Sequence, residues 1–205
     1  MNTSAQESVF IVDDDDDFRE SVKWLLESSD YPVEAFASAR EFLEEYDGRQ
    51  GCMLLDVRMP EINGLALQQI MKDREILLPI IVISGHGDVP MAVNAMKNGA
   101  VDFIEKPFDE QQMLKLINKG LQEAEKRFQQ LRQQRQVQAR YDSLSQRERE
   151  VMQLVVNGKA NREIADILGI SPKTVEVHRS RVMSKMRADN LAQLVRMSAD
   201  IKAPE

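Results

Sequence analysis

Three carboxylates, one hydroxyl and one ammonium stand at the ends of apolar runs that lie far apart in the chain. Val9-Phe10-Ile11-Val12 leads into Asp13 and Asp14, and Cys52-Met53-Leu54-Leu55 leads into Asp56. Pro79-Ile80-Ile81-Val82-Ile83 leads into Ser84, and Val101-Asp102-Phe103-Ile104-Glu105 leads into Lys106-Pro107. A carboxylate can accept a phosphoryl group and become an acyl phosphate. That transfer is mostly positioning and charge neutralisation. Mg²⁺ prefers oxygen ligands and keeps waters, so one or two carboxylates plus phosphoryl oxygens suffice to hold it. In this set Asp56 is the candidate nucleophile, and Asp13 and Asp14 form the metal pole. Lys106 is the cation for the phosphoryl oxygens, and Ser84 has a hydroxyl able to donate to the modified side chain. No single residue carries this chemistry; the ordered set does.

A parallel sheet would bring these residues to one rim. Short apolar runs bounded by turn residues read as buried parallel strands, and ligands collect beyond the carboxyl ends of such strands. Between the runs lie amphipathic stretches. Phe18 to Ser29 reads as a helix with Val22, Leu25 and Leu26 on one face, and Val33–Phe36 as a further strand. Ser38 is placed to cap a helix with Phe42 and Leu43 inward. Helices follow at about Gly64 to Arg74 and about Asp88 to Asn98, the latter with Asp88 as N-cap and Pro90 in its first turn. Five alternations predict an α/β domain, doubly wound around a five-stranded parallel sheet.

The 205 residues, 42% of them hydrophobic, suit one large or two modest domains. No apolar run approaches the ~18 residues of a membrane span, and no secretory signal is visible, so the expected compartment is the cytoplasm. The one cysteine, Cys52, sits inside an apolar run and reads as a buried inert thiol. The net charge of −7 is uneven: residues 1–140 carry 16 Lys+Arg against 25 Asp+Glu, residues 141–205 carry 11 against 9. A slightly basic C-terminal part points weakly to nucleic acid.

Leu114, Ile117, Leu121, Ala124, Phe128 and Leu131 follow spacings of three and four, as in a helical seam. With seven Gln in residues 121–140, this predicts a long linker helix fraying near Arg135. It reads either as a solvated linker or as a rod that transmits state or helps dimerise. From about Ser143 only helical patterns remain. Ser145 and Glu148 form a capping box, with Val151, Leu154 and Val155 following and Gly158 ending the helix. Asn161 is the candidate cap of a second helix carrying Ile164, Ala165 and Leu168. Ser171-Pro172 starts a third, to about Met186, and a fourth runs from about Asn190 to Ser198.

On the third helix Val175, Val182 and Met186 share one face, with Met183 at its edge. Lys173, Val177, Ser180 and Ser184 fall opposite, with Glu176 and Arg181 on the flanks. Val177 is an apolar residue on a polar face, which is either incidental or a contact for a thymine methyl. If this helix enters a groove of double-stranded DNA, its N-terminal part reaches the base edges, which favours Lys173, Glu176, Val177 and Ser180. Thr174, Arg179, Arg181 and Lys185 suit phosphates or packing. Asn161 joins the candidate DNA contacts, and His178 points to the packed side.

Residues 8–120 resemble the receiver domain of a bacterial two-component response regulator. The motifs are Ile11-Val12-Asp13-Asp14-Asp15, Leu55-Asp56-Val57-Arg58-Met59-Pro60, Ser84-Gly85-His86-Gly87 and Lys106-Pro107-Phe108. The run from Gly85 to Val93 is similar to the FixJ group of that family. The resemblance implies a flavodoxin-like fold and phosphorylation of Asp56 by a sensor histidine kinase. It implies Mg²⁺ on Asp13 (often through water), Asp14, Asp56 and the backbone carbonyl of Arg58. It also implies Ser84 as switch hydroxyl and Phe103 as switch aromatic. Ser84 stands where many relatives have Thr. The continuing acids Asp15, Asp16 and Asp17 read as a helix cap and first-turn charge rather than as ligands. Their spacing excludes an EF-hand, since Phe18 and Trp24 occupy the Gly and Glu positions. His86, between two glycines, is expected on a loop near the site. There is no Walker A motif, because Gly158-Lys159 is followed by Ala160.

Residues 143–200 are similar to the LuxR-type helix-turn-helix domain. The resemblance rests on Leu144 to Val151, Asn161-Arg162-Glu163-Ile164-Ala165 and Ile170 to His178. It implies four helices and binding as a dimer. Leu191, Leu194 and Val195 would be either a dimer contact on the last helix or internal core. The expected organisation is a receiver over 1–121, a helical linker over 122–142 and a DNA-binding domain over 143–205. The expected protein is not an enzyme; its partners would be the kinase, DNA, a second copy once phosphorylated, and RNA polymerase. Competing readings are an Asp-nucleophile phosphatase, a regulator that ignores phosphorylation, and a receiver that acts on another protein. The phosphatase reading is weakened by Arg58, which stands where a second Asp would be needed.

Overall fold

The computed structural model describes residues 7–85 and 89–201. The expectations for His86 and for Asp88 as a cap lie outside the described residues. The chain forms two compact units that divide between Phe128 and Gln129.

In the first unit, β1 (Ser8–Val12), β2 (Val33–Phe36), β3 (Gly51–Asp56), β4 (Ile80–Ser84) and β5 (Asp102–Glu105) make one parallel sheet in the order β2-β1-β3-β4-β5. Between and after them run α1 (Asp16–Ser28), α2 (Ala39–Glu45), α3 (Gly64–Asp73), α4 (Val89–Lys97) and α5 (Glu110–Asp142). Every residue of β1, β3 and β4 is buried, as a sheet covered on both faces requires. Alternate strand residues feed two cores. Phe10, Val12, Met53, Leu55 and Val82 pack with Leu67, Met71 and Ala95 of α3 and α4. Val9, Ile11, Cys52, Leu54 and Ile81 pack with Val22 and Leu26 of α1 and with Met113 and Ile117 of α5.

Local chemistry starts these helices where the chain needs them. The Asp15 side chain accepts the Phe18 N–H and caps α1, which begins at Asp16, two residues before the expected start. Ser38 accepts from Glu41 N–H and Asn63 from Ala66 N–H. Burial pushes the Cys52 thiol up to about 12, with Glu7 adding to the shift, so it stays protonated. Above it lies Gly120 of α5. A Cβ there would stand 2.9 Å from Cys52 Cβ and 3.1 Å from Ile81 Cδ1, so the glycine sets how closely α5 approaches the sheet. Trp24, the one tryptophan, stands 73% exposed on α1. Among the described residues no helix is long and apolar enough to cross a membrane.

Contrary to the expected fraying near Arg135, α5 continues to Asp142. The reason is tertiary. Val137 is buried and Tyr141 packs in the core of the second unit, beside Leu144, Val151 and Met186. That unit also holds α6 (Gln146–Val156), α7 (Asn161–Leu168), α8 (Pro172–Met186) and α9 (Leu191–Ala199). Ser145 and Glu148 make the expected capping box, and Ser171 caps α8 with Pro172 in the first turn. The start of α7 differs. Ala160 occupies the N-cap and supplies no side-chain bond, while Glu163 accepts the Ala160 N–H at 2.8 Å. Asn161 is the first helical residue instead of the cap, because its carboxamide is engaged by α8.

Candidate functional site

The register brings the strand ends together. Val12 lies opposite Leu55, Asp56 opposite Ile83 and Ser84 opposite Glu105. Asp13, Asp56, Ser84 and Lys106 therefore share one rim. The Lys106 ammonium lies 2.8 Å from Asp13 Oδ2 and 3.1 Å from Asp56 Oδ1. It also sits 3.6 Å from the centre of the Phe18 ring. Each carboxylate has a second anchor: Asp13 Oδ1 accepts the Asp15 N–H at 2.9 Å, and Asp56 Oδ2 the Arg58 N–H at 2.6 Å. Arg19 donates to the Asp13 backbone carbonyl at 2.7 Å.

Both carboxylates are buried, as is Ser84. Burial raises the Asp13 carboxyl above its usual range, with the bonds from Lys106 and Asp15 working against that rise. Burial would lower Lys106, but its bonds to Asp13 and Asp56 outweigh this and hold the ammonium above its usual value. The result is one cation fixed between two acids, with oxygen atoms as the donor set. A hard dication that takes one or two carboxylates and keeps its waters fits such a set.

Asp14, the next residue, is exposed. It lines a cleft of about 260 Å³ with Ser38, Arg40, Pro60, Glu61 and Ile62. Across that cleft Arg40 pairs with Glu61 at 2.9 Å. Among the described residues no three His, Cys, Asp or Glu side chains are already gathered into a group able to hold a metal. The Arg58 N–H is what meets Asp56. Phe103 is half-buried against the core that contains α3 and α4, and its N–H is held by Asp102 Oδ1 at 2.9 Å. The Phe18 platform under Lys106 was not singled out in the sequence, where it read only as a helix start.

In the second unit, Lys173, Glu176, Val177, Ser180 and Arg181 are exposed on α8, while Val175, Val182 and Met186 are buried. Val177 is 43% exposed. Lys173 and Glu176 bond each other at 2.8 Å, and Thr174 shares a hydroxyl contact of 2.8 Å with Ser171. Two candidate contacts prove to be joined: Arg179 Nη1 donates to Asn161 Oδ1 at 2.8 Å. Lys185 is tied inward, to Glu148 at 2.6 Å and to the Ser143 carbonyl at 3.2 Å. His178 is half-buried on the packed side. The apolar stripe of α9 divides: Leu194 is core, whereas Leu191 and Val195 are 44% and 41% exposed.

The family model of the response regulator receiver domain matches residues 9–118, and that of the bacterial regulatory proteins of the luxR family matches residues 142–198. The transcriptional regulatory protein FixJ of Azorhizobium caulinodans is 47% identical over 93% of this chain and 90% of its own. The response regulator protein TodT of Pseudomonas putida is 42% identical over 95% of this chain and 86% of its own. The solved structure of the response regulator StyR superposes with a TM-score of 0.80 at 42% identity, covering 95% of this chain and 99% of that one. Full-length FixJ from B. japonicum gives 0.59 at 40% identity, covering 96% and 98%. Two domain matches in this order, with relatives alike across nearly the whole length, place the chain in the NarL/FixJ branch of the response-regulator family, as a two-component regulator of transcription.

Proposed function

We propose that phosphoryl transfer from a sensor histidine kinase to Asp56 gates the pairing of two chains and their sequence-specific binding to DNA. The observation that carries this reading is the Lys106 ammonium held between Asp13 and Asp56. A buried carboxylate with a fixed cation beside it can take a phosphoryl group whose new charge is met at once.

An Asp56 oxygen attacks the phosphorus of a phosphohistidine; the O–P bond forms as the P–N bond breaks, and the imidazole leaves. Mg²⁺, held by Asp13, Asp14, Asp56 and the Arg58 carbonyl, would supply the neutralising charge on the phosphoryl oxygens. Lys106 keeps its contact with the enlarged anion, and the Ser84 hydroxyl donates to it. Phe103 then moves into the space beside Ser84, and the surface of α4 changes. Val93 and Met96, exposed on α4, supply apolar area for a second copy. A swing from 1:99 to 99:1 between the two states needs about 5.5 kcal/mol of differential stabilisation.

Two DNA-binding units then meet paired half-sites. Lys173, Glu176, Val177 and Ser180 face the bases, and Thr174, Arg179 and Arg181 face phosphates, with Asn161 beside Arg179. Lys185 holds α8 against α6. The chain turns over no substrate of its own, works in the cytoplasm and contacts RNA polymerase at the promoter. Incubation with acetyl phosphate and Mg²⁺ should add one phosphoryl mass to the chain and none to Asp56→Asn. An unchanged mass in the wild type, beside a receiver that gains the adduct, rejects the proposal.

A further inference from the structure

A buried amide between α3 and α4 is only half satisfied. Gln68 of α3 is buried in the core. Its Nε2 donates to the Ala95 carbonyl of α4 at 3.1 Å, and its Oε1 meets no donor among the described residues. The Ala95 carbonyl does not depend on this bond, because it also accepts the Ala100 N–H at 3.1 Å. The hydrophobic core between these helices holds Leu67 and Met71 of α3 and Ala95 and Ala100, with Met91 of α4 packed against it.

The two halves of the amide pull in opposite directions. The donated bond holds α4 against α3. The bare oxygen penalises that same arrangement, and a buried acceptor without a partner costs more than one intramolecular hydrogen bond returns. Any movement of α4 away from α3 breaks the bond, but both amide atoms then reach water. On balance the side chain disfavours the packed arrangement that it helps to make. Native structures satisfy nearly all such buried atoms, so the exception calls for a cause.

We infer that Gln68 is a positioning residue that biases α4 toward displacement, its orphaned oxygen keeping the packed position of that helix shallow. Val93 and Met96 ride on the same helix, so the bias acts on the surface assigned above to pairing. The inference deepens that reading and rests on it for its consequence, but not for its physics. Opening of α4 is a property of the unphosphorylated chain.

The test is hydrogen exchange of the unphosphorylated full-length protein, comparing wild type with Gln68→Met and Gln68→Leu. Both variants keep the volume and remove donor and acceptor together. The expected result is α4 amide exchange slowed roughly fivefold or more, with α1 exchange unchanged and thermal stability equal or higher. In the same variants half-maximal dimerisation should need more acetyl phosphate. Unchanged or faster α4 exchange in a folded variant overturns the inference. So does loss of folding in both variants, since that would make the amide a net stabiliser. A wild type that ignores acetyl phosphate would sink the phosphorylation reading and leave the exchange comparison standing.

Discussion

The Lys185 ammonium on α8 lies 2.6 Å from the Glu148 carboxylate on α6, and the same carboxylate accepts the Ser145 N–H that opens α6 at 2.8 Å. One buried acid therefore ties the recognition helix to its support and caps that support. The Lys185 bond, then the Ser145 N–H, hold the Glu148 carboxyl below the usual carboxylate range. A lowered pKa in the folded state means stability that is fully present above the unfolded value, about 4.3, and lost as pH falls through the folded one. Glu148→Gln should cost the second unit about 1–2 kcal/mol at pH 7. It should also remove part of the wild-type loss below about pH 4.3. Urea titrations at a series of pH values, read through α6 and α8 amide exchange, check both.

Lys106 stands between two buried acids. Lys106→Met leaves Asp13 and Asp56 facing each other with no cation between them. The receiver should lose about 3 kcal/mol at neutral pH and regain part of it as acid protonates the pair. Calorimetry at pH 7 and pH 5 measures this; equal melting temperatures for wild type and variant would contradict it.

Ala160 caps α7 without a side-chain acceptor. Ala160→Ser should stabilise the second unit by about 0.5–1 kcal/mol. Its melting midpoint should rise by a few degrees, and denaturant unfolding should shift without a change in slope.

Arg179 and Asn161 bond each other across α7 and α8. If the carboxamide aims the guanidinium at a phosphate, the two act as a unit. Asn161→Ala and Arg179→Ala should each weaken DNA binding, and each should reduce the salt slope, by up to about 1 for the lost phosphate. The double variant should then be little weaker than Arg179→Ala alone. Additive losses would mean that the two side chains act separately.

A methyl at position 120 has no room. Glycine to alanine within a helix commonly gains about 0.5–1 kcal/mol. Here the Cβ would meet Cys52 and Ile81. Gly120→Ala should destabilise the receiver, by about 1–3 kcal/mol, and Cys52→Ala in the same chain should recover part of the loss.

The strands and the rim were legible because each ends in a chemically distinct residue. Val9–Val12, Cys52–Leu55 and Ile80–Ile83 are too apolar and too short for anything but a covered sheet. Caps at Ser38, Ser145 and Ser171 were legible for the same local reason. What failed was decided at a distance. The Gln- and Arg-rich stretch after Phe128 has adequate helix propensity and little apolar face, so the fate of α5 rested on Val137 and Tyr141, which pack in the core of the second unit. Asn161 has the chemistry of a cap, but Arg179, 18 residues later, engages it.

Trp24 has a practical consequence. A lone indole already bathed in solvent has little further to travel when the protein melts. Its emission colour will be a poor thermometer of folding. The same ring will brighten or shift to the blue under any body that lies across α1, so the chain carries its own optical reporter for occupancy of that helix.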